Sequence, residues 1–369
     1  MRKVVFHLNT LGQGGAERVV STLANQLSKI GYQVYVATEW FSQDEFVLSD
    51  QVTRVDVGLT PKQMKAGRVR QFFFRIKNLK ELVKREQPDV IIAFGQKAIY
   101  RALMATYSSK IPVITAVRTD PKLNYSGKAD KLLIPLLWRR AAGNVFQTIG
   151  ARDFFPKKVR EKSVIILNPI ADKYLGSEQP LQRRKAVVNT GRLVEGKNQV
   201  MLIRAFRLVW EKHPDYYLEI YGEDSKDGTK EKINNCIADC KAADYVKLMG
   251  SCSELEKVMW DASIYAFASN GEGLPNAVME AMALGLPVVS TDCPCGGPAT
   301  LIKNGFNGLL VPVNEEKEMA KAINYLIEHP DTRKQIGERA VEISKMANPD
   351  RICEQWKEYI ERVCREAGK

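Results

Sequence analysis

The chain has 369 residues, long enough for two domains of ~100–200 residues each. With 45% hydrophobic and 27% charged residues its composition is globular, which excludes disorder and collagen-like or linker repeats. The net charge of +12 is uneven: residues 1–170 carry 28 Lys and Arg against 13 Asp and Glu, while the remainder carries 27 against 30.

That asymmetry points to an anionic partner for the first part: nucleic acid, a lipid phosphate or an acidic membrane surface. No apolar run approaches the ~18 residues that span a bilayer, and the opening residues turn polar too soon for a secretory signal. The expectation is a soluble cytoplasmic protein, or one that sits on a membrane without crossing it. Seven cysteines, an odd number all beyond residue 235, read as reduced thiols. Cys293-Pro294-Cys295 has no histidine at zinc-ligand spacing, so no metal is expected.

Short β-branched runs predict strands at Val4–Leu8, Gln33–Thr38, Val52–Val57, Asp89–Phe94, Pro112–Val117 and Asn144–Thr148. Helical patterns separate most of them, at Ala16–Lys29, Arg68–Glu86, Lys97–Tyr107 and Lys128–Ala141. After a polar stretch the alternation restarts, with strands at Ala186–Thr190, Tyr217–Tyr221, Val246–Met249, Ile264–Ala268, Pro287–Ser290 and Leu309–Val311. Helices are expected between them at 197–212, 230–241, 254–261 and 276–284, and three more close the chain, at Glu315–His329, Asp331–Lys345 and Asp350–Arg365. Two doubly wound α/β domains follow, residues 1–168 and 169–349, with helix 350–369 packing back on the first. Ligands of such sheets bind beyond the carboxyl ends of the strands, so a cleft between the domains is the expected site.

Two stretches of the first domain suit a membrane surface. In 68–86, Phe72, Ile76, Leu79 and Val83 form the expected core stripe, and Arg70, Phe73, Lys77, Lys80 and Lys84 step along another face. An aromatic with lysines fits an anionic bilayer plane; a solvated helix face fits this spacing equally. In Leu132–Trp138, followed by Arg139-Arg140, the apolar run could lie in the interface with Trp138, Arg139 and Arg140 at the headgroups, or form a buried helix.

Three loops carry chemistry. Gly14-Gly15 opens a helix directly after the first strand, where bare N–H groups face an anion, without the spacing of a dinucleotide site or a P-loop. Arg192 and Lys197 stand five apart across the loop after the first strand of the second domain, a spacing that suits a clamp on one phosphate group, with two solvent-exposed loop cations as the alternative. The segment from Ser269 sets Glu272 in a Gly-flanked turn and Glu280 inside the apolar helix that follows. A carboxylate there is costly unless it receives hydrogen bonds, and the vicinal hydroxyls of a sugar supply them.

These motifs, Gly14-Gly15-Ala16-Glu17, Gly191-Arg192-Leu193 with Lys197, Glu272-Gly273-Leu274-Pro275-Asn276 through Glu280, and Asn304 through Pro312, resemble the retaining nucleotide-sugar glycosyltransferases of family 4, of GT-B fold. The resemblance covers nearly the whole chain. It implies two facing Rossmann-like domains, with Arg192 and Lys197 on the donor diphosphate and Glu280 on the ribose. Glu272 and the backbone of Gly273, Leu274 and Asn276 would hold the transferred sugar, and Met249-Gly250 the base. Glu272, Arg192 and Lys197 form the implied catalytic set, with a UDP-sugar donor, retained anomeric configuration, no cofactor and no metal.

Many members carry His where this chain has Arg118, so a His contact is not carried over, and Arg118 is counted with the donor-binding residues. Arg118-Thr119-Asp120-Pro121 and the Cys293–Pro298 loop are similar to a subgroup building capsules and lipid-linked glycans. That likeness implies a polyprenyl-diphosphate-linked or polysaccharide acceptor at the inner face of the cell membrane. The competing readings are a nucleotide-sugar epimerase on the same fold and a basic nucleic-acid-binding protein. No acidic catalytic set in the first domain and no nucleic-acid motif supports either.

Overall fold

The computed structural model describes residues 2–12, 14–176 and 178–369; Gln13, in the first glycine loop, lies outside them. The chain divides into two compact units, one made of the residues up to Pro169 with Pro349–Lys369, the other of Ile170–Asn348.

In the first unit the strands are β1 (Lys3–Leu8), β2 (Gln33–Thr38), β3 (Val52–Asp56), β4 (Val90–Phe94), β5 (Val113–Ala116), β6 (Gly143–Phe146) and β7 (Ser163–Ile165). They form one parallel sheet in the order β3-β2-β1-β4-β5-β6-β7. β4, β5 and β6 are buried along their whole length, as strands covered by helices on both faces must be. Helix Gly15–Lys29 buries Val19, Val20, Leu23, Ala24 and Leu27, a stripe at steps of three and four.

The last helix, Pro349–Glu366, belongs to this unit. Its stripe Ile352, Trp356, Tyr359, Ile360 and Val363 joins the core formed by Phe6, Phe94 and Val145. The Trp356 ring stacks on Phe94 with centroids 5.8 Å apart. The Tyr359 hydroxyl accepts from the Asn144 N–H (2.7 Å) and donates to the Lys162 carbonyl (2.6 Å), so the helix completes hydrogen bonds at the start of β6. Glu361 takes Arg2 in a fork and the Tyr32 hydroxyl.

In the second unit β8 (Arg184–Thr190), β9 (Tyr217–Tyr221), β10 (Val246–Gly250), β11 (Ala262–Phe267), β12 (Val288–Thr291) and β13 (Leu309–Val311) form a parallel sheet in the order β10-β9-β8-β11-β12-β13. Its core joins Val187, Ile220, Ile264 and Val289 to Leu202, Phe206, Met319 and Ile323 from the helices Gln199–Trp210 and Glu316–Glu328. Both units are Rossmann-like.

One strand is unforeseen by the sequence and two expectations are corrected. The strand β7 has only three ladder residues, all half-exposed, too short a run to stand out in the sequence. The helix expected over Asp331–Lys345 is two, Pro330–Ala340 and Ile343–Met346. In Arg68–Glu86 the buried residues are Leu79, Leu82 and Val83, whereas Phe72 and Ile76 are half-buried, so the core stripe covers only the last turns.

Candidate functional site

In the second unit the strand order runs one way from β8 and the other way from β11, so the loops after these two neighbours diverge and leave a crevice, the place where doubly wound sheets bind ligands. Two loops border it. The first, Gly191–Asn198, ends in a short 3₁₀ turn, and Asn198 in a left-handed conformation (φ 51°) starts the helix Gln199–Trp210. The second, Ser269–Pro275, leads into the helix Asn276–Ala283.

Polar contacts stitch the loops together. The Asn270 N–H donates to the Gly196 carbonyl (2.9 Å), and the Ser269 hydroxyl lies 2.9 Å from the same oxygen. The Asn198 amide donates to Asn270 Oδ1 and Asn314 Oδ1, both at 2.8 Å. Across this seam Lys197 Nζ meets Glu272 Oε1 at 2.5 Å, with Ser269 Oγ 2.8 Å from that carboxylate oxygen. The ammonium also stands 5.1 Å from the centre of the Phe267 ring, whose face favours a cation. Arg192 is exposed on the same loop, and among the described residues it has no carboxylate within ion-pair distance.

Glu280 is buried in the second turn of its helix. Its neighbourhood is marked by Tyr265, whose hydroxyl sits 3.0 Å from Thr190 Oγ1. Burial pushes that phenol well up, and the negative charges of Glu280 and Glu272 push it further. The Cys293 thiol, at the end of β12, is pushed up to about 12, chiefly by burial and then by Glu272, so it is an inert thiol and no nucleophile. The structure thus brings Lys197, Glu272 and Glu280 around the ends of β8 and β11, with Arg192 on the loop that carries Lys197.

Two glycines let further backbone close on these loops. A Cβ on Gly222 would lie 2.0 Å from the Gly191 carbonyl oxygen, and one on Gly297 would lie 1.9 Å from that of Gly273. The Gly222 N–H in turn donates to the Gly250 carbonyl (2.8 Å), which puts Met249 and Gly250, at the exposed end of β10, beside the end of β9. Sequence reasoning missed Gly222, Gly297, Ser269 and Asn198. Gly222 and Ser269 carry a weak signal, small residues at or just past strand ends, and Asn198 and Gly297 stand at helix starts.

In the first unit the strand order reverses between β1 and β4, and beyond β1 Gly14 is the N-cap and Gly15 the first residue of the helix Gly15–Lys29. Arg118 follows β5. Its guanidinium lies over Phe94 (5.2 Å) and Trp356 (5.3 Å), and Nη1 donates to Ile166 O and Asn168 Oδ1, each at 3.3 Å. Asp120 and Pro121 have a local purpose: Asp120 caps the helix Pro121–Asn124 by accepting the Lys122 N–H, and Pro121 is its first residue.

Trp138 is misassigned by the sequence. It is 1% exposed and packs edge-on against Tyr100 and Tyr125 and against Phe155, all within 5.6 Å of its ring centre. An apolar run ending in Trp-Arg-Arg suits a bilayer rim and a buried helix end alike, and aromatics from three other segments decide for the core. Arg139 and Arg140 are exposed, Arg140 lying over Tyr107. On Lys128–Leu137 it is Leu132 and Leu136 that face outward, 67% and 52% exposed. On Arg68–Glu86, Arg70, Phe73, Lys77 and Lys84 are exposed and Lys80 is half-buried. Among the described residues no helix is long and apolar enough to cross a membrane, and no three His, Cys, Asp or Glu side chains group as metal ligands do.

Comparison with known proteins places this geometry. The family described as Glycosyltransferase Family 4 matches residues 13–171, and Glycosyl transferases group 1 matches residues 173–342. An uncharacterized glycosyltransferase of Haemophilus influenzae is 26% identical over 97% of this chain and 99% of its own. An N-acetylgalactosamine-N,N'-diacetylbacillosaminyl-diphospho-undecaprenol 4-alpha-N-acetylgalactosaminyltransferase of Campylobacter jejuni is 27% identical over 98% and 100%. Among solved structures, Anabaena Alr3699/HepE in complex with UDP superposes with a TM-score of 0.82 at 19% identity, covering 98% of this chain and 100% of that one. With both modules present in order, the chain belongs to the family 4, group 1 glycosyltransferases of GT-B fold.

Proposed function

We propose that the protein transfers a hexose or N-acetylhexosamine from a UDP-sugar to a polyprenyl-diphosphate-linked or polysaccharide acceptor, with retained anomeric configuration and without a metal ion, at the cytoplasmic face of the cell membrane. The carrying observation is the meeting of Lys197 and Glu272 at the strand-order reversal of the second unit, with Arg192 on the same loop and Glu280 buried in the next helix.

In this reading Arg192 takes two oxygens of the donor diphosphate in a fork and Lys197 adds a mobile charge. Glu280 accepts the ribose hydroxyls, Glu272 and the Gly273–Asn276 backbone hold the sugar, and the Met249-Gly250 backbone pairs with the base. Catalysis is then mainly positioning and stabilisation of the departing diphosphate by the two cations. The HepE structure with UDP and the Campylobacter relative's diphospho-undecaprenol acceptor support the donor and acceptor classes. Exposed Phe73 and Val69 beside Arg70, Lys77 and Lys84, and exposed Leu132 and Leu136 beside Lys128, Lys131 and Arg139, support contact with an anionic bilayer.

The test is a panel of nucleotide-sugars offered with a short-chain prenyl-diphosphate-linked sugar, with and without a chelator. The product is read by mass spectrometry and its anomeric configuration by NMR. The expected result is release of UDP and one added sugar with the donor's configuration, unchanged by chelation. Release of another nucleotide, an inverted product, or loss of activity with chelator each overturns the corresponding clause.

A further inference from the structure

The surroundings of Arg118 hold more donors than acceptors. Its Nε and Nη2 are buried without hydrogen-bond partners, and so is Nε1 of Trp356, the ring beneath the guanidinium. Among the described residues no carboxylate forms an ion pair with Arg118, because the nearest acid along the chain, Asp120, caps its own helix. Among the described residues its side-chain acceptor is Asn168 Oδ1, which also takes Gln147 Nε2 (2.6 Å), while Gln147 Oε1 is buried without a partner. A guanidinium removed from water with no counter-charge is costly, and two aromatic faces offset only part of that cost. Both Nη1 bonds, at 3.3 Å, are long, so the rings hold the group more than its hydrogen bonds do. It also stands beyond the carboxyl end of β5, on the edge of the sheet where such folds receive ligands, and the residue is only partly buried.

We infer that the Phe94–Arg118–Trp356 stack is a phosphoryl-binding site, in which Arg118 turns on its rings to present Nε–H and Nη2–H as a fork to one phosphate group. This rests on the transferase reading for the source of the phosphate: the donor nucleotide or a prenyl diphosphate acceptor. A planar fork between two rings is a geometry that lysine cannot reproduce.

The experiment uses the full chain, wild type, Arg118→Gln, Arg118→Lys and Trp356→Phe, with three probes. These are UDP by calorimetry, farnesyl diphosphate by calorimetry over saturating UDP, and inorganic pyrophosphate by its protection against heat. The expected result is at least a tenfold loss of affinity for one ligand in Arg118→Gln, incomplete recovery in Arg118→Lys, and a smaller loss of the same ligand in Trp356→Phe. Loss confined to farnesyl diphosphate assigns the site to the acceptor; loss of UDP assigns it to the donor.

A lower melting temperature with all three affinities unchanged makes the stack a packing device and overturns the proposal. If Arg118→Gln does not fold, Trp356→Phe and Arg118→Lys decide, and unchanged affinities in both overturn it. Failure of the wild type to bind UDP counts against the transferase reading alone, since the pyrophosphate comparison between wild type and variants still decides for Arg118.

Discussion

Lys197 Nζ and Glu272 Oε1, from loops 75 residues apart, stand 2.5 Å from each other, so the cation proposed for the diphosphate and the carboxylate proposed for the sugar neutralise one another when no donor is bound. The pair keeps two partly buried charges satisfied, and a donor has to draw Lys197 at least partly away from it. Glu272→Gln should therefore bind free UDP a few-fold more tightly, about 1 kcal/mol, because Lys197 no longer has a competing anion. Transfer should fall by a hundredfold or more, since the sugar loses its charged acceptor. Calorimetry with UDP and a turnover assay separate the two effects, and weaker UDP binding would show that Glu272 helps hold Lys197 in place for the diphosphate.

Glu280 sits among Val278, Met279, Ala281 and Met282, all buried. A carboxylate kept in such a helix is worth its desolvation where it bonds hydroxyls of a ligand. Glu280→Gln should cost the donor ~1.5–3 kcal/mol of affinity, the usual worth of a hydrogen bond to a charged group. UDP-sugar affinity equal to wild type, measured calorimetrically, would remove Glu280 from the ribose.

Gly297 and Gly273 make the closest backbone approach at the site. A methyl on Gly297, 1.9 Å from the Gly273 carbonyl oxygen, forces the Glu272 loop to move. Gly297→Ala should destabilise the protein by about 1–3 kcal/mol, the usual cost of overpacking, and raise the donor KM. Gly196→Ala has open space around its Cβ and is the control for stability. Matching melting temperatures for the two variants would show that the loop gives way freely.

The parts of this architecture that were legible in the sequence are those set by local pattern. Gln33–Thr38, Tyr217–Tyr221 and Leu309–Val311 form strands at the bounds their apolar runs give, and Arg68–Glu86 is a helix from its first residue to its last. The Arg192–Lys197 and Glu272–Glu280 segments stand out in the sequence, the first as two cations on a loop after a strand, the second as a carboxylate in an apolar helix, a locally unfavourable choice. What depends on distant partners was not legible. Trp138 reads as interfacial or buried alike until Tyr100, Tyr125 and Phe155 surround it, and Gly222 and Gly297 gain meaning only from carbonyl oxygens in other loops. The Lys197–Glu272 contact joins two motifs that the sequence shows separately.

The basic face of Arg68–Glu86 gives a prediction on membrane binding. Lys77, loosely paired with Glu81 (3.7 Å), and Lys84 are exposed, and Lys80 is half-buried between them. Each lysine near an anionic bilayer is worth about 1 kcal/mol at low salt. Replacing all three by Gln should lower partition onto anionic vesicles by roughly a hundredfold, leave neutral vesicles unaffected and leave hydrolysis of the soluble donor intact. Equal sedimentation of variant and parent with anionic vesicles would assign these lysines to a solvated face.

His7 gives the pH dependence. It is buried in β1, with Nδ1 bonded to the Ala37 carbonyl (3.0 Å), and Nε2 is 3.9 Å from Glu39. A carboxylate so near would ordinarily favour the charged ring, but Glu39 is already engaged by Arg101 and by Arg75 (2.9 Å). Burial therefore dominates, Arg101 adds repulsion, and His7 is lowered to about 4 from its ordinary value of 6.5. The unfolded chain then takes up a proton as pH falls through about 6.5, while the folded chain stays neutral until about 4. This group costs nothing above pH ~6.5 and withdraws stability between there and ~4, to a total of the order of 3 kcal/mol. In His7→Asn, which keeps a donor for Ala37, that penalty is absent, so its stability relative to wild type should improve steadily on acidification over that window. Denaturant melts at pH 7.5, 5.5 and 4.5 check it; a constant difference at all three would mean that His7 takes up its proton alike in the folded and unfolded chain, with Glu39 offsetting its burial.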